Sequence, residues 1–124
     1  MSVYMKWLAV LRLVAVLHAT ALFVQPIAIG IYLNGSPTGL RVHEPVGLAI
    51  GSIGVAQLLV AIGYWRSSGR RLAPIAALLI LSAESVQIAM GYNKQLPIHI
   101  PLGIALIGSA VGFAAWTYRS AAKA

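Results

Sequence analysis

His43-Glu44-Pro45-Val46-Gly47-Leu48-Ala49-Ile50 and His99-Ile100-Pro101-Leu102-Gly103-Ile104-Ala105-Leu106 are two copies of one pattern, His-x-Pro-apolar-Gly-apolar-Ala-apolar. Each copy opens a long apolar run. With one residue inserted in the second copy, Gly51-Ser52 also falls on Gly108-Ser109. The duplication reaches further back. Val24-Gln25-Pro26-Ile27-Ala28-Ile29-Gly30-Ile31-Tyr32 aligns with Val86-Gln87-Ile88-Ala89-Met90-Gly91-Tyr92 when two residues are skipped. The chain therefore reads as one all-α domain built from two tandem helical hairpins, about 7–65 and about 72–118.

Composition sets the solvent. Hydrophobic residues make up 60% of the 124, charged residues only 9%, and the mean hydropathy is +0.87. Too little polar surface exists to cover a soluble core, so the chain reads as an integral membrane protein. It has no cysteine, which excludes disulfides, thiolate metal sites and c-type haem attachment. No small-residue cleavage site follows a short apolar core, so no signal peptide is read. Nucleophile elbow, P-loop, dinucleotide fingerprint and metalloprotease helix are absent. Two acidic residues make a carboxylate-pair hydrolase a poor fit.

A spanning helix needs roughly 20 mostly apolar residues. Four segments qualify: about Trp7–Leu33, Pro45–Trp65, Leu72–Tyr92 and Pro101–Tyr118. Proline suits a first helical position, because its missing N–H would be unpaired there. Pro45 and Pro101 therefore mark helix starts, each histidine stands just before its helix, and Glu44 complements the helix dipole. Of the nine basic residues, Lys6, Arg12, Arg66, Arg70, Arg71, Arg119 and Lys123 fall at one membrane face, Arg41 and Lys94 at the other. That bias is expected to place both termini on the cytoplasmic side of a bacterial cytoplasmic membrane, with an up-down bundle between them. Trp7, Trp65, Trp116 and Tyr118 sit at the same inner ends, as interfacial rings do. The net charge of +7 thus serves topology, and nucleic acid is not an expected partner.

His43 and His99 then lie near the outer face, on helices diagonal to each other. Helices pack ~8–10 Å apart, so two imidazoles can reach across the diagonal to one iron. A haem b held from both sides is the leading expectation, with His43 and His99 as axial ligands. Arg41 and Lys94 could pair with haem propionates or with lipid phosphates. Gly47, Gly51 and Gly54 share one face of the second helix, and Ala105, Gly108 and Gly112 one face of the fourth. With Gly103, these small residues admit a flat macrocycle or a neighbouring helix. The competing readings of the histidines are a duplicated interfacial pair, another metal, or a quinone headgroup.

A second set of polar residues lies deeper. His18 in the first helix has Ile80 as its repeat counterpart, so it has no symmetric partner. His18, Gln25, Gln57, Glu84 and Gln87, with Ser82 and Ser85, can form a buried polar cluster. It is either a proton path or quinone pocket, or hydrogen bonding that fixes helix register. Glu84 lies nearer the outer end of its helix, so contact with His18 is not required. Arg12 is expected to snorkel to the inner interface.

At His99-Ile100-Pro101-Leu102-Gly103, with Trp116 near the far end of the same helix, the chain resembles one four-helix half of the haem A synthase family. More generally it is similar to bis-histidine b-type membrane cytochromes. The haem A synthase half carries a glutamate a turn before a His-Arg pair in its first outer loop. Here Glu44 follows His43 and no arginine follows either histidine. The resemblance therefore implies haem binding and electron transfer, with quinol or a partner oxidoreductase, rather than haem modification. Two further functions stay open. One is a non-enzymatic accessory subunit of a larger membrane complex. The other is a small transporter using Glu84. A homodimer is compatible with each.

Overall fold

The structure, a computed structural model, describes residues 1–119. Lys123 lies outside them. Four α-helices make up the fold: α1 Val3–Leu33, α2 Thr38–Ser68, α3 Leu72–Tyr92 and α4 Leu96–Tyr118. All four are long and apolar enough to cross a membrane. α1 packs on α2 and α4, and α3 packs on the same two, so α2 and α4 stand on one diagonal of a four-helix bundle. The end that carries the α1–α2 and α3–α4 turns is here termed the mouth, and the opposite end the base.

Short turns return the chain. Gly69 ends α2 at φ +77, and its N–H bonds the Trp65 carbonyl at 2.7 Å. This is the left-handed stop that glycine adopts without a Cβ penalty. Gly35 serves the first turn at φ +94, whereas Lys94 adopts φ 56 in the third turn with a full side chain.

The helix starts differ from the sequence expectation. α2 and α4 begin at Thr38 and Leu96, so Pro45 and Pro101 lie inside them. The prolines that occupy the starts are Pro37, at the N-cap of α2, and Pro97, in the first turn of α4. An interior proline leaves the carbonyl four residues earlier without its usual donor. Those carbonyls belong to Arg41 and Pro97, both close to a helix start. His43 and His99 are consequently helical residues, and Glu44 lies beyond the first turn that a dipole favours.

One stripe per helix forms the core. It runs Leu8, Leu11, Ala15, His18, Leu22 on α1; Ile50, Gly54, Gln57, Ala61, Tyr64 on α2; Ala73, Ala77, Ile80, Glu84 on α3; and Leu106, Ala110, Phe113, Thr117 on α4. Successive positions alternate between three and four residues apart, the spacing of a coiled-coil seam. Extended to the mouth, the same stripes pass through Gln25, His43, Gly47, Gln87, Gly91, His99 and Gly103. Along α2 and α4 the pairs His43/His99, Gly47/Gly103, Ile50/Leu106, Gly54/Ala110 and Gln57/Phe113 keep one constant separation. The repeat therefore needs no inserted residue. Gly51 meets the Ile88 side chain, whereas Gly108 has nothing within 4 Å of an added Cβ.

Candidate functional site

Two imidazoles meet at the mouth. The rings of His43 and His99 are 6.1 Å apart between centroids, with 68° between their planes. His99 Nδ1–H donates to the Gln87 backbone carbonyl at 2.9 Å, and His43 Nδ1–H donates to the Gln25 carbonyl at 3.4 Å. A carbonyl can only accept, so both rings carry their proton on Nδ1 and keep the Nε2 lone pair free. The arrangement is duplicated as the sequence is: a histidine of one helix held by the glutamine carbonyl of its hairpin partner. The contact is longer on the His43 side. There Pro26 follows Gln25 and withdraws a donor from the Leu22 carbonyl, and α3 has Ile88 in its place.

The glycines near the histidines have specific neighbours. A methyl on Gly103 would stand 2.8 Å from Gln87 Nε2, and one on Gly47 would stand 3.6 Å from Gln25 Nε2. These two glycines lie against the glutamine amides of the neighbouring helices. Gln25 Nε2 and Gln87 Oε1 are buried and have no hydrogen-bond partner among the described residues. Gly91 was missed from sequence. A methyl there would lie 2.9 Å from His99 Cε1 and 3.2 Å from its Nδ1, so the glycine lets the ring lie against α3. The row on α4 differs: Ala105, Gly108 and Gly112 are exposed on the outer surface of the bundle.

Arg41 and Lys94 are exposed at the same end. Glu44 accepts a 2.9 Å hydrogen bond from the Tyr92 hydroxyl, which ties α2 to the end of α3. Among the described residues no group of three or more His, Cys, Asp or Glu converges as a metal site. Two imidazoles alone fall short of a closed zinc site, which wants four ligands. A macrocycle that brings its own four nitrogens is a different matter.

A second polar site lies deeper in the core. His18 Nε2 is 2.5 Å from Glu84 Oε1, and His18 Nδ1–H donates to Gln57 Oε1 at 3.1 Å. His18, Gln57 and Glu84 are 0%, 1% and 2% exposed. The structure thus joins His18 to Glu84, a contact the sequence did not require. Glu84 Oε2 packs against Gly54, where a Cβ would collide with it. Ser82 and Ser85 do not join. Both are exposed, and Ser85 Oγ–H bonds the Leu81 carbonyl of its own helix. Gln25 and Gln87 belong to the mouth.

Arg12 does not simply snorkel. Its Nε–H donates to the Thr117 carbonyl at 3.0 Å, and its guanidinium stands 4.8 Å from the Tyr118 ring centroid. Two shallow apolar grooves, one lined by Leu72, Ile80 and Phe113 and one by Val16, Phe23 and Val111, lie away from both polar sites. No family model, curated protein or solved structure matches the chain.

Proposed function

We propose that this is a small integral membrane protein that binds one haem b at the mouth, between His43 and His99, and carries electrons. The observation that supports it most is the pair of imidazoles on diagonal helices, each locked as the Nδ1–H tautomer. A metal–imidazole bond is ~2.0–2.1 Å long and a ring centroid lies ~1.1 Å behind its nitrogen, so two rings on one metal stand ~6.3 Å apart. The 6.1 Å separation matches. Direct ring packing spans ~4.5–7 Å as well, so distance alone does not decide. The two Nδ1–H bonds add support: histidines that ligate metals hold their second nitrogen on a carbonyl or carboxylate in this way. The absence of cysteine excludes c-type attachment, so a haem here would be held without thioether bonds.

When bound, haem would supply a one-electron couple. His43 and His99 would be the axial ligands. The Gln25 and Gln87 carbonyls orient them and raise their basicity. The unpartnered Gln25 and Gln87 amide atoms offer polar contacts beside the site, and Arg41 and Lys94 offer cations for propionates. The resemblance to bis-histidine membrane cytochromes agrees, and suggests a quinol or a membrane oxidoreductase as electron partner. The bias of basic residues toward the base puts the base on the cytoplasmic face, and with it both termini.

The test is an oxidised and dithionite-reduced spectrum of the full chain purified in mild detergent with haemin supplied. We expect a low-spin bis-histidine spectrum, abolished by His43→Ala and by His99→Ala. A folded wild-type preparation that stays colourless with excess haemin sinks the proposal.

A further inference from the structure

The mouth leaves His18, Gln57 and Glu84 unexplained, and burial makes them costly in a bilayer. Proton bookkeeping gives them a use. Gln57 Oε1 takes the His18 Nδ1–H, so in the neutral imidazole Nε2 is a bare lone pair. Facing it at 2.5 Å is Glu84 Oε1. Two lone pairs cannot rest at that distance, so one proton lies between them and the pair is neutral overall. Glu84 Oε2 remains, buried against Gly54, with no hydrogen-bond partner among the described residues. It is an acceptor sealed from water with no donor supplied.

We propose that His18, Gln57 and Glu84 form a proton-binding site in the core of the bundle, which loads one proton at Glu84 Oε2 when the mouth gains an electron. Glu84 lies one helical turn from Gln87, whose carbonyl holds His99, a rise of roughly 5 Å along α3. Added negative charge at the mouth favours positive charge at the triad, and the low local dielectric strengthens that attraction. One electron from a hydroquinone-class donor is matched by one proton from water. The proton leaves when the electron does.

Other groups around the triad are few. On α1 the nearest ionisable side chain is Arg12, toward the base and bonded to Thr117. On α2 it is Tyr64, two turns baseward and fully buried. On α3 it is Glu84 itself. α4 presents Leu106, Ala110 and Phe113 at this depth and nothing titratable. Coupling to the mouth rests on the haem reading, whereas the proton site does not.

Two measurements separate them. The first is infrared pH-difference spectroscopy of the full chain in lipid vesicles free of other protein, across about pH 5 to 8. Glu44 and Glu84 are the only side-chain carboxyls, so assignment is direct. We expect a carboxylic C=O band that grows as pH falls, survives Glu44→Gln and vanishes in Glu84→Gln. A Glu84 signal that does not change with pH overturns the proton site. The second is the midpoint potential of the haem-loaded chain. A proton held more tightly by the reduced form lowers the potential as pH rises, by up to ~59 mV for a tenfold change in proton concentration. We expect that slope in wild type and its loss in Glu84→Gln. An equal slope in both, with the haem spectrum intact, overturns the coupling. A chain that takes no haem removes the coupling together with the haem reading, while the infrared band still decides the proton site.

Discussion

His99 shows how a single backbone position controls the mouth. Its ring lies on α3 because residue 91 has no side chain, and its Nδ1–H reaches the Gln87 carbonyl because the ring lies there. Gly91→Ala places a methyl 2.9 Å from Cε1, and backbone cannot yield as a flexible side chain would. The ring must turn, and the 2.9 Å bond stretches or breaks. Loss of such an orienting bond typically lowers metal affinity about 10- to 100-fold. If the mouth binds haem as proposed, the haem affinity of Gly91→Ala should fall at least tenfold in a haemin titration, while Gly108→Ala, with nothing near its Cβ, titrates as wild type. Gly39 is as constrained for another reason. A methyl there runs into the Ala28 carbonyl and the Tyr32 amide of α1, a collision of backbones. Gly39→Ala should destabilise the bundle by about 1–3 kcal/mol, read as a lower unfolding midpoint in mixed micelles.

At the scale of elements, sequence resolved existence better than limits or depth. Length and hydropathy alone locate four helices, and Leu72–Tyr92 has the expected bounds. α2 and α4 start earlier than expected because Pro45 and Pro101 are interior prolines, with Pro37 and Pro97 at the starts. The stripe was hidden because both the lipid-facing and the inward residues are apolar or small, so no amphipathic contrast marks it. Only the polar members give it away, and His18, Gln57, Glu84, His43 and His99 all lie on it. Their meeting could not be read, since the relative depth of adjacent helices is fixed by turns and packing. Arg12 illustrates this. It looked like a snorkelling cation, yet it bonds an end carbonyl of α4, where no intrahelical donor remains. A cation at a helix C-terminus contributes about 0.3–2 kcal/mol. Arg12→Met should therefore lower stability by about 1 kcal/mol in reversible detergent unfolding. Lys6→Met, at an exposed position of the same helix, should leave it unchanged.

The molecule as a whole is organised with its polar chemistry inside and its apolar surface outside. Leu13, Ile27, Leu59, Leu79 and Ile104 are each 60% exposed or more, a distribution that water would not tolerate and lipid requires. The core in turn is rich in alanine and glycine, which let helices approach where lipid removes the hydrophobic drive to associate. Only the ends distinguish one side of the membrane from the other. The mouth carries Arg41 and Lys94, and the base carries Lys6, Arg12, Arg66, Arg70, Arg71 and Arg119. If the positive-inside rule governs insertion, the mouth faces outward. A chain without cysteine makes this directly testable. Asn34→Cys, exposed in the α1–α2 turn, should react with a membrane-impermeant maleimide on intact cells. Ser2→Cys, exposed at the base, should react only after permeabilisation. The reverse pattern would put the histidines at the cytoplasmic face.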